Sequence, residues 1–144
     1  MKRYLQILLF CVPFLFVSCK KEQQSTEGTD QQIYTKLQGQ WRATQQSSTV
    51  NGSPSGQNQN FNGNELIFRF DNNVLLIYNG EDKTAIMKKY SWKVIDGEVF
   101  LREQYADSAN IYTTSFEDNN HFLLVESYQS GNNKITVTIH FSRF

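Results

Sequence analysis

The stretch Lys134-Ile135-Thr136-Val137-Thr138-Ile139-His140-Phe141-Ser142-Arg143 decides the fold. Ile135, Val137, Ile139 and Phe141 alternate with Thr136, Thr138, His140 and Ser142, and side chains on a strand point to opposite faces with a period of two. One face is therefore apolar and the other polar, the signature of an antiparallel strand that is buried on one side and wet on the other. Tyr90, Trp92 and Val94 against Ser91 and Lys93 repeat the pattern, as do Leu66, Phe68 and Phe70 against Arg69. No segment after Leu37 carries a convincing helical period.

Working back from that strand, β-branched and aromatic residues concentrate in segments separated by Asn, Asp and Gly. The predicted strands are Gln40–Ser47, Glu65–Phe70, Val74–Asn79, Ala85–Ile95, Glu98–Glu103, Asn110–Phe116, His121–Tyr128 and Lys134–Arg143. Asp96-Gly97 is a strong two-residue hairpin signal because both positions tolerate positive φ. Asp71-Asn72-Asn73, Asn79-Gly80, Asp118-Asn119-Asn120 and Ser130-Gly131-Asn132-Asn133 are also turns. The long loop Ser48–Gly63 is rich in Ser, Asn, Gln and Gly. Ahead of the strands, Ile33, Tyr34 and Leu37 have helical spacing after a cap at Asp30, and Gly39 ends that short turn. Eight strands joined mostly by short connections favour pairing in order, and closing the meander on itself removes its exposed edges. The expected fold is all-β: an eight-stranded antiparallel up-and-down barrel preceded by a short helical turn, with a two-sheet sandwich as the alternative.

The N-terminus speaks to compartment. Lys2 and Arg3 precede an apolar run from Leu5 to Val17 that is too short to span a bilayer as a stable anchor. It ends in Phe16-Val17-Ser18-Cys19, which resembles a lipobox, with a small residue before the cysteine to be acylated. The expected organisation is a cleaved lipoprotein signal peptide over 1–18, a lipidated flexible tether over 19–32 and a barrel domain over 33–144. The tether reading rests on a polar stretch from Lys20 to Gln32 with no apolar residue to offset its ordering entropy. A diacylated and N-acylated Cys19 attaches the protein firmly, each buried methylene contributing about 0.8 kcal/mol. Lys20, and not Asp, follows the cysteine; by resemblance to proteobacterial sorting rules this implies the outer membrane, facing the periplasm or the cell surface.

Only two cysteines are present, Cys11 and Cys19. One lies in the discarded segment and the other carries lipid, so disulfides and cysteine metal sites are excluded from the mature domain. Lys plus Arg equals Asp plus Glu at 14 each, and removing Lys2 and Arg3 leaves a net charge of −2. Nothing in that balance suggests nucleic acid.

Leu37-Gln38-Gly39-Gln40-Trp41, a helical turn running into Gly-x-Trp, resembles the opening of a lipocalin. Leu66-Ile67-Phe68-Arg69-Phe70-Asp71-Asn72-Asn73, the aromatic strand from Tyr90 to Gly97, and the ending Phe141-Ser142-Arg143 follow in the order seen in lipocalin-like lipoproteins of Bacteroidetes. The resemblance spans roughly Ile33 to Phe144 and implies a calycin-type barrel. It departs from lipocalins proper where a Thr-Asp-Tyr element would stand, since this chain has Tyr112-Thr113-Thr114. In a closed barrel the first and eighth strands are neighbours, and Arg143 continues the face of Ile135 to Phe141. Its guanidinium is thus expected across the Trp41 ring as a plug at the barrel's closed end.

Chemistry is sparse. His121 follows a turn and His140 lies on a polar face, with no neighbours at metal-ligand spacing. Gly52-Ser53-Pro54-Ser55-Gly56 has Pro at the centre and is not a nucleophile elbow. Glu81-Asp82, Glu117-Asp118 and Asp107 sit in predicted turns, where solvent keeps them ionised. No phosphate-cradling loop or cofactor motif is present, and the expectation is a protein that binds without catalysing. Its candidate cavity lining is Phe68, Phe70, Tyr90, Trp92, Phe100, Tyr112, Phe122 and Phe141. Glu126 shares a face with Phe122, Leu124 and Tyr128, and Arg102 is its candidate partner or a ligand's. The leading expectation is a small apolar or amphipathic ligand held inside the barrel. The alternative is a solid-core barrel acting as an interaction or inhibitor module through the Ser48–Gly63 loop or an exposed edge.

Overall fold

The computed structural model describes residues 26–61, 66–80 and 85–144. The predicted signal peptide, Cys19, the start of the predicted tether, Asn62-Gly63, Glu65 and the Glu81-Asp82 pair lie outside the described residues.

One helix, α1 (Thr26–Leu37), is followed by strands β1 (Gly39–Val50), β2 (Ser53–Pro54), β3 (Gln59–Asn60), β4 (Leu66–Asp71), β5 (Val74–Asn79), β6 (Ile86–Ile95), β7 (Glu98–Glu103), β8 (Asn110–Phe116), β9 (His121–Ser130) and β10 (Asn133–Arg143). From β4 to β10 every strand pairs antiparallel with the next, and β1 pairs with both β4 and β10. These eight strands form a closed antiparallel barrel, and the sandwich alternative is excluded. The seam runs from Trp41↔Arg143 to Val50↔Ile135, with a bulge at Thr44 between Ala43 and Gln45. Closure leaves the barrel wall without a free edge among the described residues.

Two turns show why the register holds. Asp96 and Gly97 have φ of 53° and 81°, so the β6–β7 hairpin makes the two-residue turn its sequence requires. Asn51 and Gly52, with φ of 52° and 83°, do the same between β1 and β2. The segment expected as a long loop from Ser48 therefore continues β1 to Val50, then doubles back through β2 and β3. Polar residues such as Gln45, Ser47 and Thr49 remain in the strand because β10 supplies their ladder partners.

The helix is longer than the single turn expected. It begins at Thr26 and not near Asp30, so part of the predicted tether is helical. Asp30 does not cap it. Its carboxylate instead accepts hydrogen bonds from the backbone N–H groups of Asp96 (3.0 Å) and Gly97 (2.7 Å), fastening α1 to the β6–β7 turn. Tyr34 stacks on Trp92 with ring centroids 4.7 Å apart, and Leu37 is fully buried. The helix thus lies across one end of the barrel and closes it. Gly39 turns the chain from α1 into β1 at φ +111°, a backbone conformation that favours glycine.

The core fills the half of the barrel beside the helix. Trp41, Phe70, Leu75, Val99, Phe122, Leu124 and Phe141 have at most 1% of their surface exposed. Phe122 stacks on Phe141 at 4.6 Å and meets Trp41 edge-on at 4.6 Å, while Phe70 meets Trp92 edge-on at 5.1 Å. Offset-stacked and edge-to-face pairs of this kind add about 0.5–1.5 kcal/mol each beyond area burial.

Candidate functional site

The two ends of the barrel differ. At the closed end, Trp41 and Arg143 are direct cross-strand partners, and the guanidinium carbon of Arg143 lies 4.4 Å from the Trp41 ring centroid. Arg143 Nη1 donates to the carbonyls of Gln38 (3.1 Å) and Lys36 (3.4 Å), and Trp41 Nε1 donates to the carbonyl of Leu37 (2.7 Å). A helix leaves its last four carbonyls without internal partners, and here three consecutive carbonyls at that end are taken up by these two side chains. The cation also suits the negative end of the helix dipole. Arg143 is exposed and not desolvated, so its ring contact contributes about 0.5–1 kcal/mol, as surface examples do, and not the larger value of a buried pair.

Five of the residues expected to line a cavity belong to this packed end. Phe68, Phe70, Trp92, Phe122 and Phe141 are buried and touch ring to ring, Phe68 meeting Phe141 edge-on at 4.9 Å. Their surfaces are spent on one another, and they form the core.

Phe100 and Arg102 are not inside. Val99 and Leu101, at 0% and 6% exposure, face the interior opposite Val94 and Trp92, so the alternating Phe100 and Arg102 point outward. Phe100 lies under the Lys93 ammonium at 5.7 Å, and Arg102 lines shallow, solvent-open hollows of about 470 and 480 Å³ on the outer flank. The register therefore corrects the expectation that they line the interior, and it separates Arg102 from Glu126 by the barrel wall. The apolar run Val99-Phe100-Leu101 has no alternation of its own. Only its pairing with β6 sets which members face inward.

Tyr90, Tyr112 and Glu126 do come together, at the open end. Glu126 follows Phe122 and Leu124 on the inward face of β9 and pairs across with Val137. The register Thr113↔Val125 and Thr114↔Leu124 sets Tyr112 beside Glu126 at its next step. Burial, with the Glu126 carboxylate and Tyr90 adding to it, pushes the Tyr112 phenol above its usual 10.0, while the Asn110 amide 3.5 Å away pulls in the opposite direction. Lys88, which the β6 register places opposite Ile77, is 3.7 Å from Glu103 and 5.9 Å from the Tyr90 ring centroid. The Tyr90 hydroxyl foremost, with Glu103, holds the Lys88 ammonium above 10.5. Sequence reasoning did not single out Lys88 and Glu103, although alternation with Tyr90 and Trp92 carries Lys88 onto the inward face, where the register pairs it with Ile77.

A gradient runs along the interior. Inward-facing side chains near the helix are sealed, but Ile77, Tyr90, Tyr112, Glu126, Val137 and Ile139 are only partly buried although they also point inward. These six make up the open-end interior, or cup, which is apolar on the β5 and β10 sides and carries phenols and a carboxylate on the β6, β8 and β9 sides; Ile77, Tyr90, Tyr112 and Ile139 also pack against the core.

Elsewhere the chemistry is modest. His121 Nδ1 is 2.9 Å from the Asp118 carboxylate in an exposed turn, and His140 lies on the outer side of β10 opposite Gln45. Among the described residues, no group of three or more His, Cys, Asp or Glu is placed to hold a metal ion. No helix among them is long and apolar enough to cross a membrane. No protein-family model matches the chain, and a search of curated proteins finds no match.

Proposed function

We propose that this chain is a lipid-anchored cell-envelope protein of lipocalin-like type that holds a small amphipathic molecule in the open end of its barrel. The observation that carries the reading is the interior gradient. Rings packed against each other fill the end beneath α1, whereas inward-facing Ile77, Val137 and Ile139 at the other end keep accessible apolar surface beside Tyr112 and Glu126. Small-molecule sites are concave and mostly apolar, with a few polar groups that orient the ligand.

The anchor follows from the N-terminal sequence, in which Cys19 ends a signal segment. Only six residues separate Cys19 from the start of α1, a reach of about 25 Å at full extension. Since α1 lies on the closed end, lipid at Cys19 would seat that end toward the membrane and turn the cup away from it. The resemblance to lipocalin-like lipoproteins of Bacteroidetes and an outer-membrane address belong to the same proposal.

Native mass spectrometry of the mature protein released from its own membrane tests it. The expected spectrum shows Cys19 with its acyl groups and a bound small molecule that is lost in Val137→Trp, which fills the cup. A bare, unacylated chain with no retained molecule would overturn the reading.

A further inference from the structure

We infer that the cup selects an amphipathic organic cation, an amine or quaternary ammonium carried on an apolar body, with Glu126 as its counter-charge. The inference rests on the ligand-binding reading above and names the chemistry of that site. Glu126 is held inside a closed barrel by its register, sharing a face with fully buried Phe122 and nearly buried Leu124. Taking a carboxylate partly out of water costs free energy unless a cation or hydrogen-bond donors compensate. Among the described residues no Lys, Arg or His lies within ion-pair distance of it. The inward-facing ammonium of Lys88 is already paired with Glu103 at 3.7 Å, and both of those side chains are about half exposed. Tyr112 hydrogen-bonds this carboxylate, but among the described residues no cation balances its charge.

What surrounds Glu126 suits an organic cation better than a bare metal ion. Tyr112 stands beside it and hydrogen-bonds it, and Tyr90 is close enough to act on Tyr112, so one phenol adjoins the carboxylate and a second adjoins the first. Aromatic faces attract ammonium groups through their quadrupole, and quaternary ammonium recognition uses such rings together with a carboxylate. A metal ion would need several oxygen ligands converging on one point, and no such group exists among the described residues. Val137, the cross-strand partner of Glu126, and Ile139 beyond it supply the apolar wall for the ligand's body. A fatty acid or other anionic amphiphile would bring its charge against Glu126 and is selected against.

Calorimetric titration of the full-length protein in lipid nanodiscs, blanked with empty nanodiscs, separates this inference from the reading beneath it. Three probes share a six-carbon chain: hexyltrimethylammonium, hexanol and hexanoate. The cation is expected to bind at least about tenfold more tightly than the alcohol, the factor one partly desolvated charge pair supplies, and hexanoate more weakly than both. Glu126→Gln should bring the cation to the alcohol's affinity while leaving the alcohol unchanged, and Glu117→Gln, in a turn at the closed end, should change nothing. Equal binding of all three probes, or a cation preference that survives Glu126→Gln, would overturn the inference and leave the cup standing. Absence of binding by every probe would overturn both.

Discussion

Arg143 and Trp41 are cross-strand partners whose side chains also meet, with the guanidinium carbon 4.4 Å from the indole centroid, so the chain's last strand closes directly onto its first. The same guanidinium reaches two helix carbonyls, which makes one residue the junction of β1, β10 and α1. Arg143→Ala removes the ring contact and both carbonyl bonds and should cost about 1–2 kcal/mol. For a domain of this size that is a fall of about 5–10 °C in melting temperature. Arg143→Lys keeps the charge but not the fork of donors and should fall between. Melts followed by Trp fluorescence check both, and wild-type stability in the alanine variant would refute the junction.

Asp30 does for the other end of α1 what Arg143 does for its C-terminus. Its two bonds to Asp96 and Gly97 N–H groups are charge-assisted and tie a helix without an apolar N-terminal half to the barrel. Asp30→Ala should cost about 1–3 kcal/mol. Amide exchange should quicken over Thr26–Leu37 and at Gly97, with β8–β10 unchanged. Uniform acceleration across the barrel would show that α1 is not a separate fastening.

The inward and outward aromatic residues should separate cleanly under truncation. Phe122, fully buried among Trp41, Phe116 and Phe141, should lose about 3–5 kcal/mol on Phe122→Ala. Phe100→Ala, on the outer wall beneath Lys93, should cost about 1 kcal/mol or less. Denaturant midpoints of the two variants make the comparison, and equal losses would contradict the β6–β7 register.

The Asp118–His121 pair gives a pH dependence with a defined sign. The His121 ring foremost, with the Asn120 backbone N–H, holds the Asp118 carboxyl below its usual 3.8. A depressed carboxylate contributes stability that is present above the unfolded value and lost as pH falls through the folded one. Carboxyl NMR titration should therefore place the Asp118 midpoint below 3.8, and His121→Ala should move it upward toward that value. A midpoint unchanged by the substitution would assign the depression to the turn backbone instead.

The barrel was legible because alternation survives wherever one face of a strand is buried, as in Ile135 to Phe141. Turn chemistry at Asp96-Gly97 fixed the hairpin for the same local reason. Asn51-Gly52 carries an equivalent signal, but the strand before it is Gln, Ser and Thr, so the hairpin was hidden in an apparent loop until β10 appeared as its partner. The first half of α1 was hidden too, since Thr26–Gln32 offers no apolar stripe and is secured through the distant Asp30 contacts. At the site, alternation with Phe122 and Leu124 puts Glu126 on their face of β9, which is also where the register has it. Aromatic content alone misplaced Phe100, and it assigned Phe68, Phe70 and Phe141 to a lining when mutual ring contact makes them core.

The β1–β10 seam has a consequence for how the protein is made. Every other pairing in the wall joins strands that follow one another along the chain, whereas Trp41 and Arg143 stand about a hundred residues apart. Joining ends so remote carries the largest loop-closure entropy in the molecule. A nascent polypeptide thus has two raw rims, on β1 and on the growing meander, until β10 emerges. Chains cut short before Phe141 would keep those rims and offer them to other chains, which makes β10 the element that separates a closed wall from an open one prone to association.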